Sequence, residues 1–292
     1  MTALFVNQLT TLDFSYLSPE RGVVGETWLV DVVLRGDLDE QGMVFDFGHV
    51  KKQIKASLDI LADHRLLVPV SHEAVAIKTE NEKCLAIKMQ TSTGDIIECK
   101  APAPAILLVN TQEITPEALT PFLEKTLLDE LPDNVSSVEL DIYPEQFSGA
   151  FYHYSHGLKK HLGDCQRIAH GHRSPIHIYL DGKRDPSQEA DWAETWKDIY
   201  IATREDLLEK VTLGKRDHLR FGYTSDQGYF ELTLAEDRCY LIDTDSTVEL
   251  LAEHIASTLK TRHPDHAIRV VAFEGFNKGA VAEKCAAAEK EL

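Results

Sequence analysis

The sequence predicts an α+β chain of two similar units, residues 1–145 and 146–292. Three observations predict it. The length of 292 residues, with 43% apolar composition, suits two cores of ordinary domain size. An order of strands, helix, inserted β-like runs, helix and strand occurs before residue 145 and again after it. No low-complexity linker divides the halves, so they are expected to pack closely.

In the first half, residues 28–35 (WLVDVVLR) have strand composition. Gly36 to Gly42 form a polar turn, and 43–47 (MVFDF) resume the apolar pattern, which predicts a hairpin. From Asp46, the residues Val50, Ile54, Leu58 and Leu61 recur at helical spacing up to Asp63-His64. Short β-like runs at 74–78, 84–90 and 95–99 suggest an inserted meander. Thr115-Pro116 is a helix start, with Leu119, Phe122, Leu123 and Leu127 as its buried stripe, and 136–143 is a strand. The second half offers a strand at 175–181, a helix at about 203–211, β-like runs at 228–234 and 238–243, a helix at 246–261 and a strand at 267–274. Aligned in this way, Asp63-His64 falls opposite Asp217-His218, and the Thr115 helix opposite one starting at Ser246, where Ser246 and Glu249 read as a capping box. The last dozen residues read as an exposed helical tail.

The formal charge of −18, from 48 acidic against 30 basic residues, opposes binding to nucleic acid or to an anionic membrane. Five cysteines without a C-x-x-C pair argue against a disulfide framework and for a reducing compartment. With no basic-then-apolar leader and no apolar run of about 18 residues, the expectation is a cytoplasmic protein.

Six of the thirteen histidines lie between 153 and 177. On a strand, His170 and His172 point to the same face about 6–7 Å apart and can share an ion, while Gly171 leaves the other face bare. With His156 they make a three-nitrogen set that leaves a fourth position open, the arrangement of catalytic zinc. On its own, His-Gly-His reads more readily as a polar turn; Cys165, five residues upstream, changes the balance, because a nearby Zn²⁺ favours its thiolate. Cys165 alone would pass for a small buried apolar residue.

With those residues in order, Ser155-His156-Gly157-Leu158, Cys165, His170-Gly171-His172 and Phe273-Glu274-Gly275, the second half resembles the 6-pyruvoyl- and 6-carboxy-tetrahydropterin synthases. The first half resembles the middle of the same family at Gly42-Met43-Val44-Phe45-Asp46-Phe47 and Ala62-Asp63-His64-Arg65-Leu66-Leu67. It offers Tyr16, Val24 and Glu26 where the family has histidines, so no zinc is expected there, and for the family's aspartate-phenylalanine the second half offers only Asp198.

The resemblance implies two diverged tunnelling-fold units, each an antiparallel sheet with two helices on one face, that assemble into a homo-oligomer. It implies Zn²⁺ on His156, His170 and His172, Cys165 as general base, His64 oriented by Asp63 as its proton partner, and Glu274 as the anchor of a pterin ring. The implied reaction is a lyase step on 7,8-dihydroneopterin triphosphate or a related dihydropterin, in pterin or queuosine biosynthesis. Lys159, Lys160, Arg167 and Arg173 are the candidate phosphate cations. Asp63-His64 also suits a helix C-terminal cap, and Asp217-His218 competes for its place beside the metal. An altered substrate, or pterin binding without catalysis, is the alternative.

Overall fold

A computed structural model describes residues 2–81 and 83–286. The first half runs β1 (Thr2–Ser18), β2 (Gly22–Gly36), α1 (Phe47–Leu61), β3 (Leu66–Pro69), β4 (Val75–Asn81), β5 (Cys84–Gln90), β6 (Ile96–Pro102), β7 (Ile106–Val109), α2 (Pro116–Glu130) and β8 (Val135–Pro144). The second repeats the series as β9 (Phe151–His156), β10 (His170–Leu180), the short β11 (Lys183–Arg184), α3 (Pro186–Thr195), β12 (Ile199–Thr203), β13 (Leu207–Leu213), β14 (Arg216–Ser225), β15 (Gly228–Ala235), β16 (Cys239–Ile242), α4 (Val248–Arg262), β17 (Ile268–Phe273) and an added β18 (Gly279–Lys284).

The sheet orders match: β7-β3-β1-β2-β8 in the first half and β16-β12-β9-β10-β17-β18 in the second. In each half two helices cover one face. Val50, Ile54 and Leu58 of α1 and Leu119, Leu123 and Leu127 of α2 close the first core, and Trp192 of α3 with Leu251, Ile255 and Leu259 of α4 close the other. The inserted meanders of the two halves join, β6 against β15, into a six-stranded sheet ordered β13-β14-β15-β6-β5-β4. It shares a third core with Leu66, Val68, Tyr200 and Ala202. Asp46 and Thr115 cap α1 and α2 through side-chain acceptors.

Several sequence expectations are corrected. Residues 43–47 form no strand; Val44 is buried in a bend and Phe47 opens α1, so the hairpin is β1–β2. Phe122 is exposed rather than part of the α2 stripe. No helix spans 203–211, where a 3-10 turn leads into β13; the missing helix is α3, started by Asp185-Pro186. Thr247, not Ser246, caps α4, which removes the capping box. Residues 279–284 are strand rather than helical tail, and 287–292 lie outside the described residues.

The correspondence of the two Asp-His pairs is also wrong. β3 runs parallel to β1 with Leu66 beside Ser15, and β12 runs parallel to β9 with Tyr200 beside Ser155. Two residues upstream, His64 and Asp198 therefore occupy matching places, and both have φ of 53°. Asp217 is an exposed partner of Lys210 on β14. His218 is buried within the joint sheet, accepting from Ile96 N–H at 3.2 Å and donating to the Arg216 carbonyl at 3.0 Å.

The halves meet where the inner strands β1 and β2 press on β9 and β10. Ser15 and Ser155 share a hydrogen bond of 2.7 Å across this seam. A Cβ on Gly25 would strike the Tyr154 carbonyl and come within 2.7 Å of the His172 nitrogen. Gly25→Ala is expected to destabilise the protein by about 3 kcal/mol or more, because overpacking here meets backbone rather than a movable side chain. Thermal unfolding checks this; an unchanged midpoint would mean that the seam is looser than described.

Candidate metal and proton-transfer site

The antiparallel register of β9 and β10 sets His170 opposite His156, and His172 follows two residues along on the same face. All three are buried, and one ring nitrogen from each lies within 4.8 Å of the others. His156 Nδ1 is 3.0 Å from the Ser246 carbonyl, and His170 Nδ1 is 2.9 Å from the Arg167 carbonyl. His172 Nδ1 lies 3.2 Å from Asp13 Oδ1, near enough for an ionic contact but outside hydrogen-bond geometry. Carbonyl acceptors at Nδ1 place the proton there in His156 and His170 and leave Nε2 as a lone pair.

Burial, reinforced by neighbouring imidazoles, drives the pKa values of His156 and His170 well below the ordinary histidine range, so both are neutral. The His156 Nε2 is buried with no hydrogen-bond partner. Neutral imidazoles that converge with their outer nitrogens backed by acceptors fit a zinc-type ion, and such an ion satisfies the orphaned nitrogen.

A second group, His64, Cys165 and His170, meets the same 4.8 Å spacing. Cys165 sits in a 3-10 turn (Gly163–Gln166) just before β10, whereas His64 comes from the other half on the arch between α1 and β3. His64 Nδ1 bonds Asp63 Oδ2 at 2.5 Å, the His64 N–H donates to the Asp13 carbonyl at 2.7 Å, and Asp63 Oδ1 accepts from the Asp13 N–H at 2.7 Å. The Arg167 guanidinium donates to the carbonyls of Asp63 and His64 at 3.3 and 3.4 Å. Burial alone would lower the His64 pKa; the hydrogen bonds to Asp63 and Cys165 outweigh it and lift it to about 10. His64 is thus held as an imidazolium against the sulfur.

Glu274, in the turn after β17, lies 4.0 Å from His172 Nε2. The sequence-predicted residues His64, Asp63, Cys165, His156, His170, His172 and Glu274 thus gather in one region, and Asp217-His218 stands apart from it. The phosphate cations do not gather as expected. Lys159 is paired with Glu205 and Asp206, Lys160 with Glu205 and Asp245, and Arg167 with Asp164. Arg173 stacks on Phe147 and Phe151.

Comparison with known proteins identifies the family. The family model for 6-pyruvoyl tetrahydropterin synthase matches the chain twice, over residues 11–153 and 147–285. The chain belongs to this family. It is a tandem of two tunnelling-fold units, and its activity class is tetrahydropterin synthase-like. A protein of Pyrococcus abyssi provisionally assigned as a 6-carboxy-5,6,7,8-tetrahydropterin synthase is 24% identical over 143 residues, 48% of this chain and 79% of its own. A protein of Methanocaldococcus jannaschii with the same assignment is 29% identical over 140 residues, covering 46% of this chain and 82% of its own. The 6-pyruvoyl tetrahydropterin synthase of Plasmodium vivax superposes on 50% of this chain and 93% of its own at a TM-score of 0.40 and 18% identity.

The sequence reading missed Asp13, Ser246 and the structural use of Arg167. Asp13 is buried on β1, accepts from Thr27 Oγ1 at 2.6 Å and pairs with Lys278 at 3.0 Å. Burial would raise the Asp13 pKa, but His172, Lys278 and Thr27 together hold it well below the usual carboxylate range.

The matching position of the first half is built differently. Register equates Tyr16, Val24 and Glu26 with His156, His170 and His172. Between Tyr16 and Asp198, the counterpart of His64, lies Arg21, which donates to the Tyr16 hydroxyl at 3.0 Å and grips both oxygens of Asp198. The Arg21 guanidinium thus bridges the counterparts of His156 and His64. Burial, opposed by the Thr27 N–H and by Arg173 and Arg21, raises the Glu26 pKa to about 7. The fold therefore holds the Glu26 proton more tightly than the unfolded chain does, and stability is lost as pH rises from about 4.5 to about 7. Glu26→Gln is expected to raise stability above pH 7 by up to about 3 kcal/mol and to change little at pH 4.5. Melting temperatures of both proteins across that range check the sign; a gain confined to low pH would contradict it.

Proposed function

We propose that the chain is a zinc-dependent lyase acting on a 7,8-dihydropterin, with the metal on His156, His170 and His172. The observation that carries this reading is the meeting of three buried histidines from one half with an Asp63–His64 pair from the other, and Cys165 between them. Zinc bound there supplies a Lewis acid that makes a substrate hydroxyl, and the C–H beside it, easier to deprotonate.

The chain's own groups do the rest. Cys165 takes a proton from carbon as general base, and His64, charged and fixed by Asp63, returns one to the side chain of the substrate. Glu274 accepts the paired N–H donors of the pterin ring and sets the side chain toward Cys165. Asp13, Ser246 and Arg167 hold the imidazoles in orientation. The pairing of Lys159, Lys160 and Arg167 with carboxylates favours a substrate whose side chain lacks the triphosphate, because those cations must give up a partner to bind one.

Three measurements test this. The purified protein is expected to hold one zinc per chain, and His170→Ala to lose it; zinc retained by that variant would remove His170 from the ligand set. Cys165→Ala, with zinc in place, is expected to lower turnover of dihydropterins by about a hundredfold or more. Assays with 7,8-dihydroneopterin and its triphosphate side by side decide the substrate, with the unphosphorylated compound expected to react at least as well. Equal turnover by wild type and Cys165→Ala would leave a pterin-binding protein without this chemistry.

A further inference from the structure

We propose that Lys278 is a substrate-contacting, specificity-determining cation, and that it reads the 4-oxo group of the heterocycle while Glu274 reads the neighbouring N–H donors. The proposal rests on the pterin-lyase reading and names a recognition element beyond it. β17 and β18 pair antiparallel as far as Phe273 and Gly279, so Glu274 and Lys278 are the next facing residues, tied by the Glu274 N–H donating to the Lys278 carbonyl at 3.0 Å. Facing residues of an antiparallel pair carry their side chains on the same side, about 5 Å apart at Cβ. A carboxylate and an ammonium thus stand side by side at the rim of the metal site.

Opposite charges so placed would ordinarily neutralise each other, and here they do not. Among the described residues, the ion pair of Lys278 is with Asp13 of the first half, at 3.0 Å, while Glu274 Oε1 lies 4.0 Å from His172 Nε2. Asp13 draws the ammonium aside and leaves the Glu274 carboxylate for a ligand. The turn is shaped for this contact: Gly275 has φ of 72°, and a Cβ there would lie 2.6 Å from Asp13 Oδ1. Lys278 is about half exposed, and an ammonium has three donors, of which Asp13 takes one. Burial lowers its pKa, but Asp13, Glu274 and Asp63 more than restore it, so it stays charged.

The pattern complements one edge of a 2-amino-4-oxo pyrimidine ring. That edge presents the 2-amino group and N3–H as donors and O4 as acceptor, in a row. A carboxylate suits the first two and an ammonium the third. A 2,4-diamino ring puts a donor where the ammonium needs an acceptor, so the site is predicted to reject it.

The test is equilibrium binding, by fluorescence quenching, of 6-hydroxymethylpterin and its 2,4-diamino analogue to the zinc-loaded full chain, alongside steady-state turnover of dihydroneopterin. The wild type is expected to prefer the 4-oxo ligand by about tenfold or more. Lys278→Ala is expected to lose a large part of that preference, the rest coming from Glu274 at N3–H, and to raise KM about tenfold, with kcat and zinc content little changed, and Lys278→Arg to restore much of both. If the wild type binds pterin and turns it over but Lys278→Ala keeps the same preference and KM, the role of Lys278 is overturned and the lyase reading stands. If the wild type neither binds pterin nor reacts, the lyase reading fails and this inference falls with it.

Discussion

The close approach of the two inner hairpins is the constraint on which the site depends. Gly25 and Gly171 face each other with no side chain between them, and the Ser15–Ser155 hydrogen bond marks the point about which the two halves are related. Only at such a separation can Asp13 on β1 reach the outer nitrogen of His172 on β10. The arch carrying Asp63–His64 then falls against Cys165. A larger residue at either glycine pushes β1 and β2 away from β9 and β10, because the nearest atoms it meets are backbone atoms held in sheets on both sides.

The two halves use this shared seam unequally. On one side, buried neutral imidazoles leave lone pairs that a cation satisfies. On the other, the corresponding residues cannot serve as such a set: Val24 has no ligand atom, and Tyr16 and Asp198 are turned to a guanidinium that the chain supplies itself. The first half thus carries its own guanidinium at this position, whereas the second presents a histidine set that could hold a cation. The two halves also depend on each other across the seam. The reciprocal contacts show how far this has gone: Arg167 of the second half grips the carbonyls of Asp63 and His64, and Asp13 of the first half lies beside His172 and Lys278.

The strand carrying His170-Gly171-His172 was legible because that triplet uses the two-residue period of a strand, and the strong helices α1, α2 and α4 because their buried residues recur at three and four. α3 was not, since Pro186–Thr195 is short and buries little besides Glu189 and Trp192; its only marker was Asp185-Pro186. Losing that helix shifted the alignment of the halves and paired His64 with His218 instead of Asp198. Ser246 was hidden by a pattern that fits a capping box, although Thr247 does the capping. Asp13 and Lys278 gave no local signal at all, because what they do follows from contacts between distant parts of the chain.

His170 belongs to both candidate ligand groups, so the location of the metal decides the account. The most direct measurement is a crystal structure of the zinc-loaded protein with anomalous data at the zinc edge. The account predicts a single peak per chain, about 2.0–2.1 Å from the Nε2 atoms of His156, His170 and His172, with His64 and Cys165 outside the coordination sphere. A peak held by His64, Cys165 and His170, or one at the Arg21 position of the first half, would contradict it.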